Sequence, residues 1–135
     1  MKVLVVEDNK SASMIVCRII TSMGHDTVHA ESGEEAVSLF NEGQYDLILM
    51  DVEMPGINGF EATQLIRQKK TSKELPIIAL TAHAISDEKD NILKVGMNDY
   101  QTKPINNDQL MQCIERWTGY QCRETAQPIR SRITP

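Results

Sequence analysis

The sequence predicts a doubly wound α/β fold, in which helices cover both faces of a five-stranded parallel sheet. Five short strand-like runs recur along the chain with helical patterns between them, which is the order of a repeated strand–helix unit. Three of these runs are continuously apolar instead of alternating, as in strands that are covered on both sides. The length of 135 residues suits about one domain, and 41% of the residues are hydrophobic, so a packed core is expected.

The predicted strands are short and evenly distributed. The first, third and fourth are the continuously apolar ones, and the fifth has the weakest pattern. Crossovers between parallel strands should be right-handed. The strands are predicted over residues 3–6, 27–30, 47–50, 77–80 and 99–102.

The helical patterns place apolar residues at spacings of three and four, which puts them on one face of each helix. Gly24 is expected to end the first helix, and Ser32 is expected to cap the second, whose first turn is acidic. The helices are predicted over residues 12–23, from Ser32 onward, and over 61–70, 86–96 and 107–117. The residues expected to face the core are Ala12, Ile15, Val16, Ile19, Ile20, Met23, Ala36, Val37, Phe40, Ala62, Leu65, Ile66, Leu110, Ile114 and Trp117.

Composition and charge exclude several classes of function. Fourteen Lys and Arg against 19 Asp and Glu give a net charge of −5, which argues against direct nucleic-acid binding. No run approaches the ~18 apolar residues of a membrane span, and the six residues before Glu7 are too few for a signal-peptide core. Cys17, Cys113 and Cys122 are scattered and form no zinc motif, which is typical of a reducing compartment. We therefore expect a cytoplasmic protein with no membrane partner.

Chemically active residue types follow four of the five predicted strands. Glu7 and Asp8 follow the first strand, Asp51 the third, Thr81 the fourth and Lys103 the fifth. In doubly wound sheets, functional groups gather beyond the carboxyl ends of the strands. Each residue by itself is more often a turn former or a helix cap, so the prediction depends on their joint occurrence at the spacing of the βαβ repeat.

The three carboxylates at this predicted edge favour a bound cation, because neighbouring carboxylates repel one another. Oxygen ligands without His or Cys favour a hard ion such as Mg²⁺. A lysine is a usual phosphate partner, and a carboxylate can act as a nucleophile that forms an acyl phosphate. The residues therefore predict a site that handles a phosphoryl group, with Asp51 on the central strand as the candidate nucleophile.

The same residues lie in motifs that resemble the receiver domain of two-component response regulators, over roughly residues 1–117 and in the right order. Segments 77–84 and 96–100 most resemble receivers of hybrid histidine kinases and phosphorelays. The resemblance implies the flavodoxin-like strand order 2-1-3-4-5 and a receiver domain over residues 1–118, and residues 119–135 are expected to form a flexible tail. The motifs are Leu-Val-Val-Glu-Asp-Asn at residues 4–9, Leu-Met-Asp-Val-Glu-Met-Pro-Gly at 49–56, Gly59, Ile-Ala-Leu-Thr-Ala at 78–82 and Lys103-Pro104.

The resemblance implies that Asp51 is a phosphoacceptor in a signalling protein, not the nucleophile of a metabolic enzyme. Its phosphoryl group is expected from a phosphohistidine of a histidine kinase or a histidine phosphotransfer protein, and the domain is expected to assist its own phosphorylation and dephosphorylation. Asp8 and Asp51 are expected to bind Mg²⁺ with the backbone carbonyl of Glu53, and Glu7 to act mainly through water.

The phosphoryl oxygens have their own expected partners. The resemblance implies that Thr81, Lys103 and the backbone N–H groups of Glu53 and Ala82 hold them. It also implies that the peptide bond between Lys103 and Pro104 is cis.

Regulation and partner contact are further implications of the resemblance. Tyr100 matches the aromatic residue that moves inward when the threonine turns toward the phosphate, and the fourth helix, fifth strand and fifth helix are expected to present the changed surface to a downstream protein. In receivers, the positions that Glu53 and His83 match flank the route of the attacking water, so both residues are expected to tune the lifetime of the phosphate. Met14, opposite the predicted buried face of the first helix, is the candidate contact with the phosphodonor.

Two other functions and one question of context stay open. A Mg²⁺-dependent phosphohydrolase with an Asp nucleophile is the main alternative, although such enzymes usually carry a second Asp where this chain has Glu53. A flavin- or nucleotide-binding module would need a glycine-rich loop after the first strand, and residues 7–10 are instead Glu-Asp-Asn-Lys. The chain is either a stand-alone regulator or a fragment of a larger one, and a first strand that begins directly after Met1 favours the former.

Overall fold

Five parallel strands form one sheet in the computed structural model, which describes residues 1–54, 56–82 and 86–119. The elements are β1 (Lys2–Val6), α1 (Lys10–Ser22), β2 (Asp26–Ala30), α2 (Gly33–Glu42), β3 (Leu47–Asp51), α3 (Gly59–Arg67), β4 (Ile77–Thr81), α4 (Ser86–Lys94), β5 (Asp99–Thr102) and α5 (Asn107–Thr118). Neighbouring strands are parallel in the order β2-β1-β3-β4-β5. The predicted fold class and strand order are confirmed.

The sheet separates two apolar layers, because successive side chains of a strand point to opposite faces. On β1, Leu4 and Val6 belong to the layer that includes residues of α2, α3 and α4, whereas Val3 and Val5 belong to the layer shared with α1 and α5. Strands β3 and β4 are buried at every position. Burial on both faces explains why their sequences are continuously apolar.

Side-chain caps determine where the helices begin. Ser32 caps α2 as predicted, accepting a hydrogen bond from the N–H of Glu35 at 3.1 Å. Asn9 and Asn58 cap α1 and α3, which therefore begin two residues earlier than predicted. Among the helices in the described ranges, none is long and apolar enough to cross a bilayer.

Three residues that were expected to face the core are exposed instead. Ile15, Leu65 and Trp117 keep 50%, 39% and 37% of their surface exposed. Ser13 and Thr63 are buried on α1 and α3, where each hydroxyl donates to a backbone carbonyl of its own helix. A polar group with an internal partner is readily buried, so apolar spacing alone does not identify every residue on the inner faces of these helices.

Some predictions concern features that the described residues do not test. His83 lies outside the described residues, as do residues 120–135 of the predicted tail. Gly119 directly follows α5 and has a φ of 75°, the left-handed conformation that ends many helices. The flexible tail and the cytoplasmic location stay predictions.

Candidate active site

The carboxyl ends of β1, β3, β4 and β5 meet at one edge of the sheet. Glu7 and Asp8 directly follow β1, Asp51 and Thr81 are the last residues of β3 and β4, and Lys103 follows β5. Parallel pairing places these strand ends side by side. The fold therefore gathers at one edge side chains that are far apart in the sequence.

Lys103 joins two buried carboxylates. Its Nζ lies 2.7 Å from Glu7 Oε1 and 3.3 Å from Asp51 Oδ2. Glu7 is fully buried and only 1% of Asp51 is exposed, so water and salt screen these contacts less than they would at the surface. The other oxygen of Asp51, Oδ1, accepts a hydrogen bond of 3.0 Å from the backbone N–H of Glu53. Both oxygens of Asp51 are therefore oriented by their neighbours.

Glu7, Asp8 and Asp51 form an acidic cluster. Each offers a carboxylate oxygen, and the three oxygens lie within 4.8 Å of one another. Asp8 is exposed, so solvent and ions can reach the cluster. Three carboxylates next to one lysine leave an excess of negative charge, and the donors are all oxygen atoms. This donor set fits a hard divalent cation such as Mg²⁺.

Burial and charge shift the pKa values of two residues in the site. Burial raises the pKa of Glu7, and neighbouring Asp51 raises it further, whereas Lys103 partly opposes the shift. Burial by itself would lower the pKa of Lys103, but its contacts with Glu7 and Asp51 outweigh burial and raise it. Lys103 is therefore firmly protonated at neutral pH, while the carboxylates destabilise one another in a way that a cation relieves.

The backbone of Glu7 is held from β2 at both of its polar groups. Its N–H donates to the carbonyl of Ala30 at 3.0 Å, and its carbonyl accepts a hydrogen bond of 2.8 Å from Nε2 of His29. Its side-chain Oε2 accepts a third hydrogen bond, of 3.2 Å, from the N–H of Asn9. Sequence reasoning missed His29, because this contact depends on the pairing of β1 with β2 and no motif marks it.

Thr81 and its neighbours line the same edge. Thr81 is fully buried, and its carbonyl accepts a hydrogen bond of 2.7 Å from the N–H of Lys103. Ala82, the next residue, is exposed. The peptide bond between Lys103 and Pro104 is cis. The last residue of β4 and the loop after β5 are thus joined by a hydrogen bond at the edge that carries the acidic cluster.

Tyr100 and Met14 lie elsewhere in the fold. Tyr100 pairs with Ala79 inside the sheet and is half-buried, with Nζ of Lys89 on α4 5.4 Å from the centre of its ring. Met14 lies on α1 and is 59% exposed. Neither residue belongs to the acidic cluster, so any role of theirs involves the surface or a conformational change.

The sequence and the fold resemble those of known proteins. Residues 3–115 match the response regulator receiver domain family. The sensor protein GacS of Pseudomonas syringae pv. syringae is 43% identical over 128 residues, which cover 93% of this chain and 14% of that protein. The receiver domain of sensor histidine kinase PA1611 from Pseudomonas aeruginosa, solved with a magnesium ion coordinated in its active site cleft, is 36% identical with a TM-score of 0.80, covering 88% of this chain and 98% of that one. A chain in the co-crystal structure of the Saccharomyces cerevisiae histidine phosphotransfer protein Ypd1 with the receiver domain of Ssk1 is 34% identical with a TM-score of 0.81, covering 91% and 92%.

The chain belongs to the response regulator receiver domain family, whose match spans nearly all of the described residues. It is a receiver domain of two-component and phosphorelay signalling, a class of signalling phosphoacceptors. The comparisons support this function and give no support to the phosphohydrolase alternative. The chain spans about one seventh of the length of GacS.

Proposed function

We propose that Asp51 is the phosphoacceptor of this receiver domain, and that a phosphohistidine of a histidine kinase or a histidine phosphotransfer protein donates the phosphoryl group. The observation that carries the proposal is the position of Lys103, whose Nζ lies 3.3 Å from Asp51 Oδ2. At that distance the ammonium group is placed to hold an oxygen of a phosphoryl group bonded to Asp51. Glu7 and Asp8 supply the negative charge that retains a cation beside it.

The transfer replaces a P–N bond with a P–O bond. A carboxylate oxygen of Asp51 attacks phosphorus, the bond to the imidazole nitrogen breaks, and the imidazole leaves with the electron pair and takes up a proton. The acyl phosphate carries about −1.5 to −2 of charge in place of the single negative charge of the carboxylate. Lys103, the hydroxyl of Thr81 and the backbone N–H groups of Glu53 and Ala82 would hold its oxygens. The N–H of Glu53 already donates to Asp51 Oδ1 at 3.0 Å. By holding these oxygens, the domain would assist both its phosphorylation and its dephosphorylation.

Mg²⁺ is the cofactor that we propose for the acidic cluster. Asp8 and Asp51 would bind it directly with the backbone carbonyl of Glu53. Glu7, which is fully buried and 2.7 Å from Lys103, would act mainly through water. When bound, the ion neutralises the negative charge of the carboxylates and the phosphoryl group. The magnesium ion in the active site cleft of the PA1611 receiver domain supports this choice.

We propose that residues 1–118 form the receiver domain and switch as one unit. Phosphorylation would change the surface formed by α4, β5 and α5. A phosphoryl oxygen gives the Thr81 hydroxyl a new partner, and Tyr100 would move inward as the hydroxyl turns. Lys89 lies over the ring of Tyr100 at 5.4 Å, so an inward movement would remove this cation–π contact. A downstream protein partner would read the changed surface.

The exposed side of α1 is the surface that we propose for the phosphodonor. Met14 is 59% exposed and Ile15 is 50% exposed, so the apolar contact area is larger than the sequence predicted. A groove of about 330 Å³ lies between the start of α1 and the loop of Pro104 and Ile105, next to Lys103. A histidine-bearing helix seated along this groove would bring its phosphohistidine to the acidic cluster.

A substitution on α1 tests this docking surface. Met14→Asp should slow phosphotransfer from the cognate partner, because it places a charge in an apolar contact. Labelling by acetyl phosphate, a small donor, should be unchanged because it needs no docking. Transfer from the partner at the wild-type rate contradicts this contact.

Phosphotransfer profiling tests the central assignment. Purified histidine kinases and phosphotransfer proteins of the source organism are charged with radiolabelled phosphate and mixed with wild type, Asp51→Asn and Asp26→Asn in the presence of Mg²⁺. Wild type and Asp26→Asn, whose changed residue lies exposed on β2, should take up an acid-stable, alkali-labile label. Asp51→Asn should take up none. Equal labelling of wild type and Asp51→Asn would show that the assignment is wrong.

A further inference from the structure

The hydrogen-bond ladder between β1 and β2 stops just short of the acidic cluster. The two strands pair up to Val6 opposite Ala30, and the N–H of Glu7 donates to the carbonyl of Ala30 at 3.0 Å. The next bond of a parallel ladder would require a residue beyond Ala30 to donate to the Glu7 carbonyl, but there the chain turns into the α2 cap at Ser32. Nε2 of the His29 side chain occupies this place, 2.8 Å from the carbonyl oxygen of Glu7.

The contact determines which ring nitrogen of His29 carries a hydrogen. A carbonyl oxygen only accepts hydrogen bonds, so Nε2 is the donor. The peptide bond that follows Glu7 is planar, and a hydrogen bond to its carbonyl therefore also limits the direction in which the chain enters Asp8. Glu7 and Asp8 both belong to the acidic cluster, one buried and one exposed.

We infer that His29 is a positioning residue, which holds the peptide between Glu7 and Asp8 so that both carboxylates are directed toward a divalent cation. The inference rests on the proposed function, since it takes that cation to be Mg²⁺ in the acidic cluster. His29 acts through the main chain, one residue before Asp8. Partners of this kind, which orient the ligands of a metal without binding it, commonly affect metal affinity strongly.

Two substitutions separate the hydrogen bond from the volume of the ring. His29→Leu keeps apolar bulk and removes the donor, whereas His29→Gln places an amide N–H at a similar reach. Thr27→Val is the matched control, because Thr27 lies two residues earlier on the same face of β2. Mg²⁺ is titrated into each metal-free protein by calorimetry. We expect His29→Leu to bind Mg²⁺ about 10-fold more weakly than wild type, and the other two variants to stay within about twofold.

A second measurement needs no metal. Proton–nitrogen spectra of the imidazole at about pH 8, where a histidine ring is ordinarily neutral, show which nitrogen carries the hydrogen. The expected form of His29 has its hydrogen on Nε2. The N–H of Glu7 donates to the carbonyl of Ala30 at 3.0 Å, and its exchange in the metal-free protein should be faster in His29→Leu than in wild type, because the end of β1 is then held less firmly. His29→Gln should restore the slower exchange.

The outcomes separate this inference from the proposed function. Hydrogen on Nδ1 of His29, or His29→Leu that binds Mg²⁺ as tightly as wild type, would overturn the inference. Equal weakening in all three variants would also overturn it, because that result reflects a general loosening of β2. Wild type that binds no Mg²⁺ contradicts the proposed function instead. In that case the His29 ring spectra and the exchange of the Glu7 amide decide whether the side chain positions the peptide.

Discussion

Replacing Gly59 with alanine tests how closely α3 packs behind the proposed acceptor. A Cβ atom at Gly59 would lie 2.4 Å from the carbonyl oxygen of Asp51 and 2.8 Å from the Cα of Val52. Since ordinary contact begins at 3.4 Å, the Gly59 and Asp51 backbones must separate by about 1 Å. Overpacking of this kind costs about 1–3 kcal/mol, and better helix propensity offsets at most about 1 kcal/mol. We expect the free energy of unfolding to fall by about 1–2 kcal/mol.

The same displacement moves the Asp51 carboxylate relative to Lys103. Because a shift of about 1 Å at a reacting group can cost about 100-fold in rate, labelling by acetyl phosphate with Mg²⁺ should slow by about 10-fold or more. Urea unfolding followed by circular dichroism gives the stability, and radiolabel incorporation gives the rate. Gly43→Ala is the matched control, because the nearest atoms to its added Cβ are 3.6 Å away. If Gly59→Ala keeps wild-type stability and labelling rate, the packing argument is refuted.

Three further predictions concern residues outside the site. Arg67 donates to the carbonyls of Gly96 and Leu75 at 2.8 and 2.9 Å. Arg67→Met leaves these carbonyls without that donor, so the free energy of unfolding, measured in urea, should fall by about 2–4 kcal/mol. A loss below about 0.5 kcal/mol contradicts this prediction. Burial, with the nearby amino-terminal charge, lowers the pKa of His25. The unfolded chain therefore binds more protons below about pH 6.5, and stability should decrease as the pH falls from there toward the folded-state pKa. In His25→Gln, the free energy of unfolding in urea should change less with pH between about pH 5 and 7 than in wild type. An equal change with pH in both proteins contradicts this prediction. Burial raises the pKa of Cys113 to about 12. Iodoacetamide at about pH 8 should therefore modify Cys113 only after unfolding, which peptide mass mapping detects. Modification of the folded protein as fast as that of the unfolded protein contradicts this prediction.

Local sequence is sufficient to predict the strands and the residues at their carboxyl ends. Every residue of β3 and β4 is buried, and a strand covered on both faces needs apolar side chains at nearly every position, which is a pattern of adjacent residues. Asp51 and Thr81 end these two strands and Lys103 follows β5. Their assembly at one edge follows from parallel pairing, so the strand order was enough to group them.

Helix faces are predicted less well, because burial depends on what packs against the helix. Ile15 and Leu65 fit the apolar spacing but remain half-exposed, whereas Ser13 lies on the buried side of α1. Trp117 stays near the surface because its Nε1 donates to Asp99 at 2.8 Å. This hydrogen bond between α5 and β5 outweighs the apolar character of the Trp117 ring. The spacing of residues within one helix does not predict a bond to another element.

The electrostatic state of the site belongs to the tertiary structure alone. The sequence places Glu7 directly after a strand, but its complete burial and its 2.7 Å contact with Lys103 arise only when β1 and β5 lie in one sheet. The contact of His29 with the Glu7 carbonyl requires the parallel register of β1 and β2. Residue types and strand order therefore determine which groups reach the edge. Distance and burial, which exist only after the strands pair, determine how strongly those groups interact.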